Sequence, residues 1–437
     1  MSLKFLKYPK LIDPLRLSAV YKDNSIVIKY PNRQKYLNSE NQILFNQSFQ
    51  ILNFKLSSNP ITISIEFEYF KYSNWPYLID EIFSIISTSK DSTLILPITY
   101  AEDIPYFSFY NFCLTINKLT NLNSLILNSQ ERFIHNSNPF LRVNFFRIPN
   151  TCETIPFPNY QDWTLGVITS GKDSELDQLN KFLYSVLNAF DNKSNQCQII
   201  YCTDVPLNIE KPTISNVKLD IVQYNYKELL PLIQISAKKN LILDKAKNPN
   251  LMICHNRYIL PIDWLSTIES TGYRFTVFTP RQIITPIKSI RNIDLPALAA
   301  KSTSSDYSKS LILDYNEYHP NSFITGGCLI AKKEILEKLR WNELLFWDES
   351  EDIELSRRMQ SSGIILRANK DVYIYTNSYR KGYLNGFIKP DFLNSLICRI
   401  NSIWPFTLHY SHPVKKTISI FVRLIKLIVS NLRNPLN

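Results

Sequence analysis

Trp163-Thr164-Leu165-Gly166-Val167-Ile168-Thr169-Ser170-Gly171-Lys172-Asp173 is the stretch on which the fold turns. Its first half reads as a buried strand, and Ser170-Gly171-Lys172-Asp173 closes that strand with loop residues. Leu176, Leu179, Leu183, Val186, Leu187 and Phe190 then recur at helical spacing and predict an amphipathic helix over 176–190. Gln198-Ile199-Ile200-Tyr201-Cys202 is the next strand, ending at Thr203-Asp204. Strand, loop, helix, strand is the unit of an α/β sheet. Ligands of open α/β sheets sit beyond the carboxyl ends of the strands, which puts Thr169, Ser170, Gly171 and Asp204 on one rim.

Glycine marks the limits of this unit. All eight glycines of the 437-residue chain lie between Gly166 and Gly386, so turns and close backbone approaches are concentrated there. The polar linker Pro149-Asn150-Thr151-Cys152-Glu153-Thr154-Ile155-Pro156-Phe157-Pro158 sets its front edge. The expected division is an N-terminal accessory domain over 1–155, a ligand-binding domain over 160–395 and a tail over 396–437. In the first part, 61–70 alternates like a strand, 75–87 is spaced as a helix, and 92–97, 123–127 and 141–146 are further strands. They predict a small α/β or α+β domain.

With 45% apolar and 13% aromatic residues the chain can bury a large core. Seven cysteines without a C-x-x-C pair suggest neither a zinc site nor a disulfide framework, and fit a reducing compartment. The start, Met1 to Pro9, lacks the apolar core of a secretory signal, and no uncharged apolar run is long enough to span a bilayer. A cytoplasmic protein is expected.

Chemistry concentrates in Gly326-Gly327-Cys328 and, about twenty residues later, Trp347-Asp348-Glu349-Ser350-Glu351-Asp352-Ile353-Glu354-Leu355-Ser356-Arg357-Arg358. The glycines allow backbone to approach a bulky ligand, and Glu351 and Asp352 stand where an acceptor hydroxyl would surrender its proton. The same acids also read as a well-capped helix start, with Asp348 and Glu351 in capping-box spacing.

Taken in order with Met252-Ile253-Cys254-His255-Asn256-Arg257-Tyr258-Ile259-Leu260-Pro261, these segments make residues 163–380 resemble a family 2-type glycosyltransferase. The resemblance implies the GT-A fold, a Rossmann-like mixed sheet, and a nucleotide-sugar donor. It implies Asp352 as the general base of an inverting displacement, with Glu351 orienting it or the acceptor, and Glu349 and Glu354 facing solvent. Thr169, Ser170, Gly171 and Asp204 would hold the donor's base and ribose, although Asp204 also suits the turn before Pro206. Gly326 and Gly327 would line the donor site, and Trp341 and Trp347 would wall an acceptor sugar pocket.

The family's metal-binding D-x-D is absent from this sequence. His255-Asn256-Arg257 stands in its place. His255 would suit manganese or another nitrogen-tolerant divalent cation better than magnesium, or is a buried imidazole at a strand end. Arg257 could lie along the donor's diphosphate as a bidentate cation. The loop region 275–323 would choose the acceptor, with His319 making a structural bond before Pro320.

From Cys398 onward there are six basic residues and no acidic ones, carrying six of the net +11 charges. From Lys415 to Arg433, within the segment 413–433, five of them fall together with Ser419 and Ser430 on a helical wheel, and Ile418, Phe421, Leu424, Ile425, Ile428 and Leu432 are among the apolar residues that fill the remainder. This is the pattern of a helix lying on an anionic membrane or packed on the protein with snorkelling cations. The expected partners are a nucleotide-sugar donor, a glycan or lipid-linked acceptor of surface polysaccharide assembly and, through the tail, the inner face of the cell membrane. The alternative is a non-catalytic sugar-binding or scaffold relative. A nucleic-acid partner is set aside, because the charge gathers on an amphipathic tail and not on aromatic-studded strands.

Overall fold

The computed structural model describes residues 11–22, 24–30, 42–45, 49, 60–87, 89, 91–98, 109–123, 125–135, 138–147, 161–209, 212, 214–225, 234–270, 275–284, 293–300, 310–345, 349–376 and 387–388. The linker, Trp347, Asp348 and the basic tail lie outside the described residues.

The N-terminal part builds β1 (Ser18–Lys22), β2 (Ser25–Lys29), β3 (Gln42–Leu44), β4 (Ile61–Ile65), α1 (Trp75–Ile86), β5 (Asp91–Pro97), α2 (Phe109–Leu122), β6 (Leu125–His135) and β7 (Asn138–Arg147). Among the described residues these strands form one mixed sheet in the order β3-β1-β2-β4-β5-β7-β6. Strands β4 and β5 are parallel and joined through α1, whose apolar face, including Leu78, Ile82 and Phe83, is fully buried. The alternation from Ile61 does not continue to Phe70. The strand stops at Ile65, and Tyr69–Lys71 form a single helical turn that buries Tyr69 and Phe70 in the core.

The second part comprises β8 (Trp163–Ile168), α3 (Leu176–Phe190), β9 (Cys197–Thr203), β10 (Val217–Gln223), α4 (Ile235–Lys245), β11 (Asn250–His255), β12 (Tyr258–Ile259), α5 (Trp264–Ser270), β13 (Val277–Ile284), β14 (Ile293–Leu295), β15 (Leu298–Ala300), β16 (Ser310–Ile312), β17 (Ser322–Ile324), β18 (Cys328–Lys332), α6 (Lys333–Leu339), α7 (Glu351–Ser361), β19 (Ala368–Thr376) and β20 (Phe387–Ile388). Its main sheet runs β10-β9-β8-β11-β18-β13-β19-β12, with β14 on β13, and β15, β16, β17 and β20 form a smaller sheet. The architecture is therefore α/β with a mixed sheet. Strands β10, β9, β8 and β11 are parallel, and β18 enters antiparallel beside β11.

Helices cover both faces of this sheet. One face buries Leu179, Phe182 and Val186 of α3 with Trp264 of α5, and the other buries Ile242 of α4 with Leu355 and Met359 of α7. Every residue of β8 and β9 is buried, as two-sided coverage demands. Gly166 has a packing role, since a Cβ there would stand 2.2 Å from Ile242 Cγ2 and push α4 off the sheet. The chain steps from β8 outward to β9 and β10, then returns through α4 to β11 on the other side of β8. That reversal opens a crevice beyond the ends of β8 and β11, the usual ligand position in such sheets.

The two parts are fastened side by side. Asn74 donates to the Asn316 carbonyl at 3.0 Å and Tyr77 to the Glu317 carbonyl at 3.1 Å. Arg367 pairs with Asp80, and Gly363 leaves room for the Lys118 carbonyl, 2.8 Å from where its Cβ would be. Among the described residues no helix is long and apolar enough to cross a membrane.

Candidate functional site

Gly326 and Gly327 lie at the centre of the site. Gly326 N–H donates to Asp352 Oδ2 at 2.8 Å, and Ile353 N–H donates to Oδ1 at 2.9 Å, so the carboxylate is clamped between a strand entry and its own helix. A Cβ on Gly326 would lie 3.3 Å from both Asp352 and Glu351. A Cβ on Gly327 would fall 2.2 Å from the Tyr258 hydroxyl and 3.1 Å from Arg257 Nη2. This corrects the expectation that the glycines clear space for a ligand. The space is filled by the protein's own acids on one side and by Tyr258 and Arg257 on the other.

The acids reach this position through a strained entry. Ser350, the residue before α7, has φ +61° and ψ +41°, a left-handed conformation that costs a non-glycine residue on the order of 1 kcal/mol or more. Glu351 is then buried and pairs with Lys239 Nζ at 2.9 Å, the two side chains being 10% and 4% exposed. Burial first, and the charge of Glu351 second, push the Asp352 carboxyl up to about 6, against the pull of Lys239 and of the Ile353 and Gly326 N–H groups. Such a group is ionised at neutral pH and can still take a proton, which suits a general base. Glu354 is held by Arg358 at 2.6 Å and is half-buried, not solvent-facing, while Glu349 is exposed. Ser356 accepts from Ile324 N–H at 3.2 Å and seats α7 on β17.

Lys239 and its neighbour Lys238 are the residues that sequence reasoning missed. Both lie in the first turns of α4 and are almost fully buried. Lys238 pairs with Asp204 and donates to the Thr169 carbonyl at 3.0 Å, so one lysine ties the ends of β8 and β9 together. Thr169 and Ser170 serve the same turn. Thr169 Oγ1 bonds the Glu175 carboxylate and accepts from Gly171 N–H at 3.1 Å, and Ser170 N–H donates to Glu175 at 2.9 Å. Thr169 thus shapes the rim through its hydroxyl instead of presenting it to a ligand. Gly171 has φ +75°, which the turn requires of a glycine. Where α4 begins, Gln234 Nε2 and Ser236 Oγ, and at the end of β9 Thr203 Oγ1, are buried without a hydrogen-bond partner. Nothing in the sequence of α4, Ile235-Ser236-Ala237-Lys238-Lys239-Asn240-Leu241-Ile242-Leu243-Asp244-Lys245, marks these two lysines as buried.

Trp341 is also corrected. It is 4% exposed, its backbone is held by Asn240 at 2.9 and 3.0 Å, and its ring lies 5.5 Å from Lys239 Nζ. With Met359, Leu355, Asp352 and Lys239 it walls a small cavity under the acids, so its indole is not an open stacking surface. His319 accepts from Asn321 N–H at 3.0 Å, the structural bond expected of it.

Opposite the acids, His255 ends β11 and its N–H donates to the Gly327 carbonyl at 3.2 Å. Burial pushes its imidazole well below the usual range, the charges of Arg257 and Lys239 add to this, and a bond to the Gly326 backbone opposes it. Asn256 and Arg257 form the turn to β12. A divalent cation on His255 needs further hard ligands. Among the described residues no three His, Cys, Asp or Glu side chains converge to hold one. The carboxylate pair Glu351 and Asp352 already shares Lys239. Among the described residues, His255 therefore lacks the further hard ligands a divalent cation needs.

No protein-family model matches the chain, and no curated protein sequence does. Among solved structures, it resembles a crystal structure of GalNAc-T7 with UDP, GalNAc and Mn2+ at 14% identity and a TM-score of 0.40, over 55% of this chain and 48% of that one. It also resembles S. aureus TarS 1-349 in complex with UDP-GlcNAc, at 11% identity and a TM-score of 0.33, over 55% of this chain and 66% of that one. The chain thus spans about half the length of the first of these. The chemistry of the site rests on its own geometry.

Proposed function

We propose that the chain is a glycosyltransferase that moves a sugar from a nucleotide-sugar donor to a hydroxyl of a glycan or lipid-linked acceptor, with inversion and with Asp352 as general base. One observation carries this reading: a carboxylate with its pKa raised to about 6, clamped by the Gly326 N–H beside the crevice where the sheet order reverses. The acceptor oxygen bonds the anomeric carbon as its proton passes to Asp352. The bond to the donor's diphosphate breaks with its electron pair, and the nucleoside diphosphate leaves. Glu351, pinned by Lys239, is a charged neighbour that keeps Asp352 basic.

A screen of nucleotide sugars for donor turnover, with wild type and Asp352→Asn side by side, tests the reading. Turnover in wild type that drops steeply in the variant is the expected result. Equal turnover in the two, or retention of the donor's anomeric configuration, would refute the mechanism, and a chain that binds sugars without turnover is the scaffold alternative.

The basic tail belongs to the same proposal, as the contact that brings a cytoplasmic enzyme to the inner face of the cell membrane and to a lipid-linked acceptor. Flotation of the full chain with vesicles containing phosphatidylserine, compared with a chain ending at residue 412, is expected to show binding by the full chain alone. Equal flotation of the two would remove the tail's role.

A further inference from the structure

We infer that Arg257 is a direct phosphate clamp, its guanidinium contacting the diphosphate of the bound nucleotide with no divalent cation between them. The identity of the ligand rests on the donor reading above. The site rests on four observations about Arg257 itself.

Arg257 stands just beyond the carboxyl end of β11, beside the end of β8 in the parallel register that pairs His255 with Ile168. That is the edge of the crevice created by the reversal of strand order. Its Nη2 lies 3.1 Å from where a Gly327 side chain would begin, so it crowds the same two-residue segment that clamps Asp352 on its other side. The guanidinium is held in place by the Tyr258 ring, 5.2 Å from the centroid, and by a 3.4 Å bond to the Tyr258 hydroxyl. That hydroxyl is itself fixed by donating to Gln282 at 2.6 Å.

The guanidinium is oriented but not neutralised. Its Nε is buried without a hydrogen-bond partner, and among the described residues no carboxylate pairs with it. The other two cations of the site are committed, Lys238 to Asp204 and Lys239 to Glu351. Arg257 is half-buried, and its buried Nε together with its remaining N–H groups leaves donors that an anion can complete. A planar fork with free N–H donors matches two phosphate oxygens. A cation bound beside it would instead meet an uncompensated like charge. The favoured ligand at this position is therefore the anion itself, at the place where charge builds as the nucleoside diphosphate departs.

The test is calorimetric titration of the full chain with inorganic pyrophosphate, first in EDTA and then with magnesium or manganese, for wild type, Arg257→Ala and Arg257→Lys. Wild type is expected to bind in EDTA. The alanine variant should bind about tenfold or more weakly, and the lysine variant should fall between, because it keeps the charge without the fork. Binding that needs a divalent cation, absence of binding by wild type, or undiminished binding by Arg257→Ala would overturn the clamp. Should the alanine variant not fold, Arg257→Lys decides, weaker binding at an unchanged thermal midpoint supporting the clamp and equal binding overturning it. Pyrophosphate binding through Arg257 by a chain that turns over no nucleotide sugar would keep the clamp and sink the transfer reading, whereas turnover that survives Arg257→Ala would do the reverse.

Discussion

The rim at the ends of β8 and β9 and the first turn of α7 are each tied to α4 by one buried lysine, yet charge closes at one and not at the other. At the rim, Lys238 meets a single carboxylate, Asp204, and the pair is complete. At α7, Lys239 meets Glu351, and the neighbouring Asp352 is left with a carboxylate beside it and a pKa raised to about 6. The difference separates architecture from chemistry. A balanced pair holds two strand ends together, and burial with an unbalanced neighbour keeps a carboxyl able to accept a proton near neutral pH.

Breaking the unbalanced side should cost the most activity. Asp352→Asn removes the base and is expected to lower turnover by about 10²- to 10⁴-fold with little change in donor binding, as steady-state kinetics beside donor titration would show. Breaking the balanced side should instead cost stability. Lys238→Met leaves Asp204 without its partner, and a loss on the order of 3 kcal/mol is expected in denaturant unfolding. Equal stability of this variant and wild type would mean that the rim does not depend on the pair.

Lys239→Met sharpens the comparison through pH. Asp352 acts ionised, so activity rises as pH passes through its pKa. Removing the lysine removes the favourable charge and moves that pKa up, so the variant loses more activity at pH 6 than at pH 8. The smallest effect belongs to Gly326→Ala. Its Cβ would stand 3.3 Å from both acids, so a few tenths of an ångström of displacement should weaken the Asp352 clamp and lower turnover, with an unfolding midpoint close to wild type.

How much of this was legible in the sequence depended on whether a residue's partner lay nearby in the chain. Helix α3 was readable to its ends because its apolar spacing is local, and β8 and β9 because strands covered on both faces must be apolar throughout. Glu351 and Asp352 stood out through the family resemblance as much as their spacing, since the same acids also read as a capped helix start. The lysines of α4 did not, since Lys238-Lys239 reads as a solvated face until Asp204 and Glu351 arrive from 34 and 112 positions away, and helix α4 was not foreseen at all. Trp341 was misjudged for a related reason. An aromatic beside acids suggests a ligand wall, but its ring fills the core between α4 and α7. The strand read over 61–70 failed at Glu66, where tertiary burial of Tyr69 and Phe70 outweighs the local alternation.

The central claim is that Asp352 is a base whose pKa is raised by burial and by Glu351 and held down by Lys239. The pH dependence of kcat/KM for donor turnover, measured in parallel for wild type and Lys239→Met, addresses it most directly. An acid limb with a midpoint near 6 in wild type, displaced upward in the variant, is the result this account predicts. A limb that stays in place when Lys239 is removed, or a flat profile between pH 5 and 8, would contradict it.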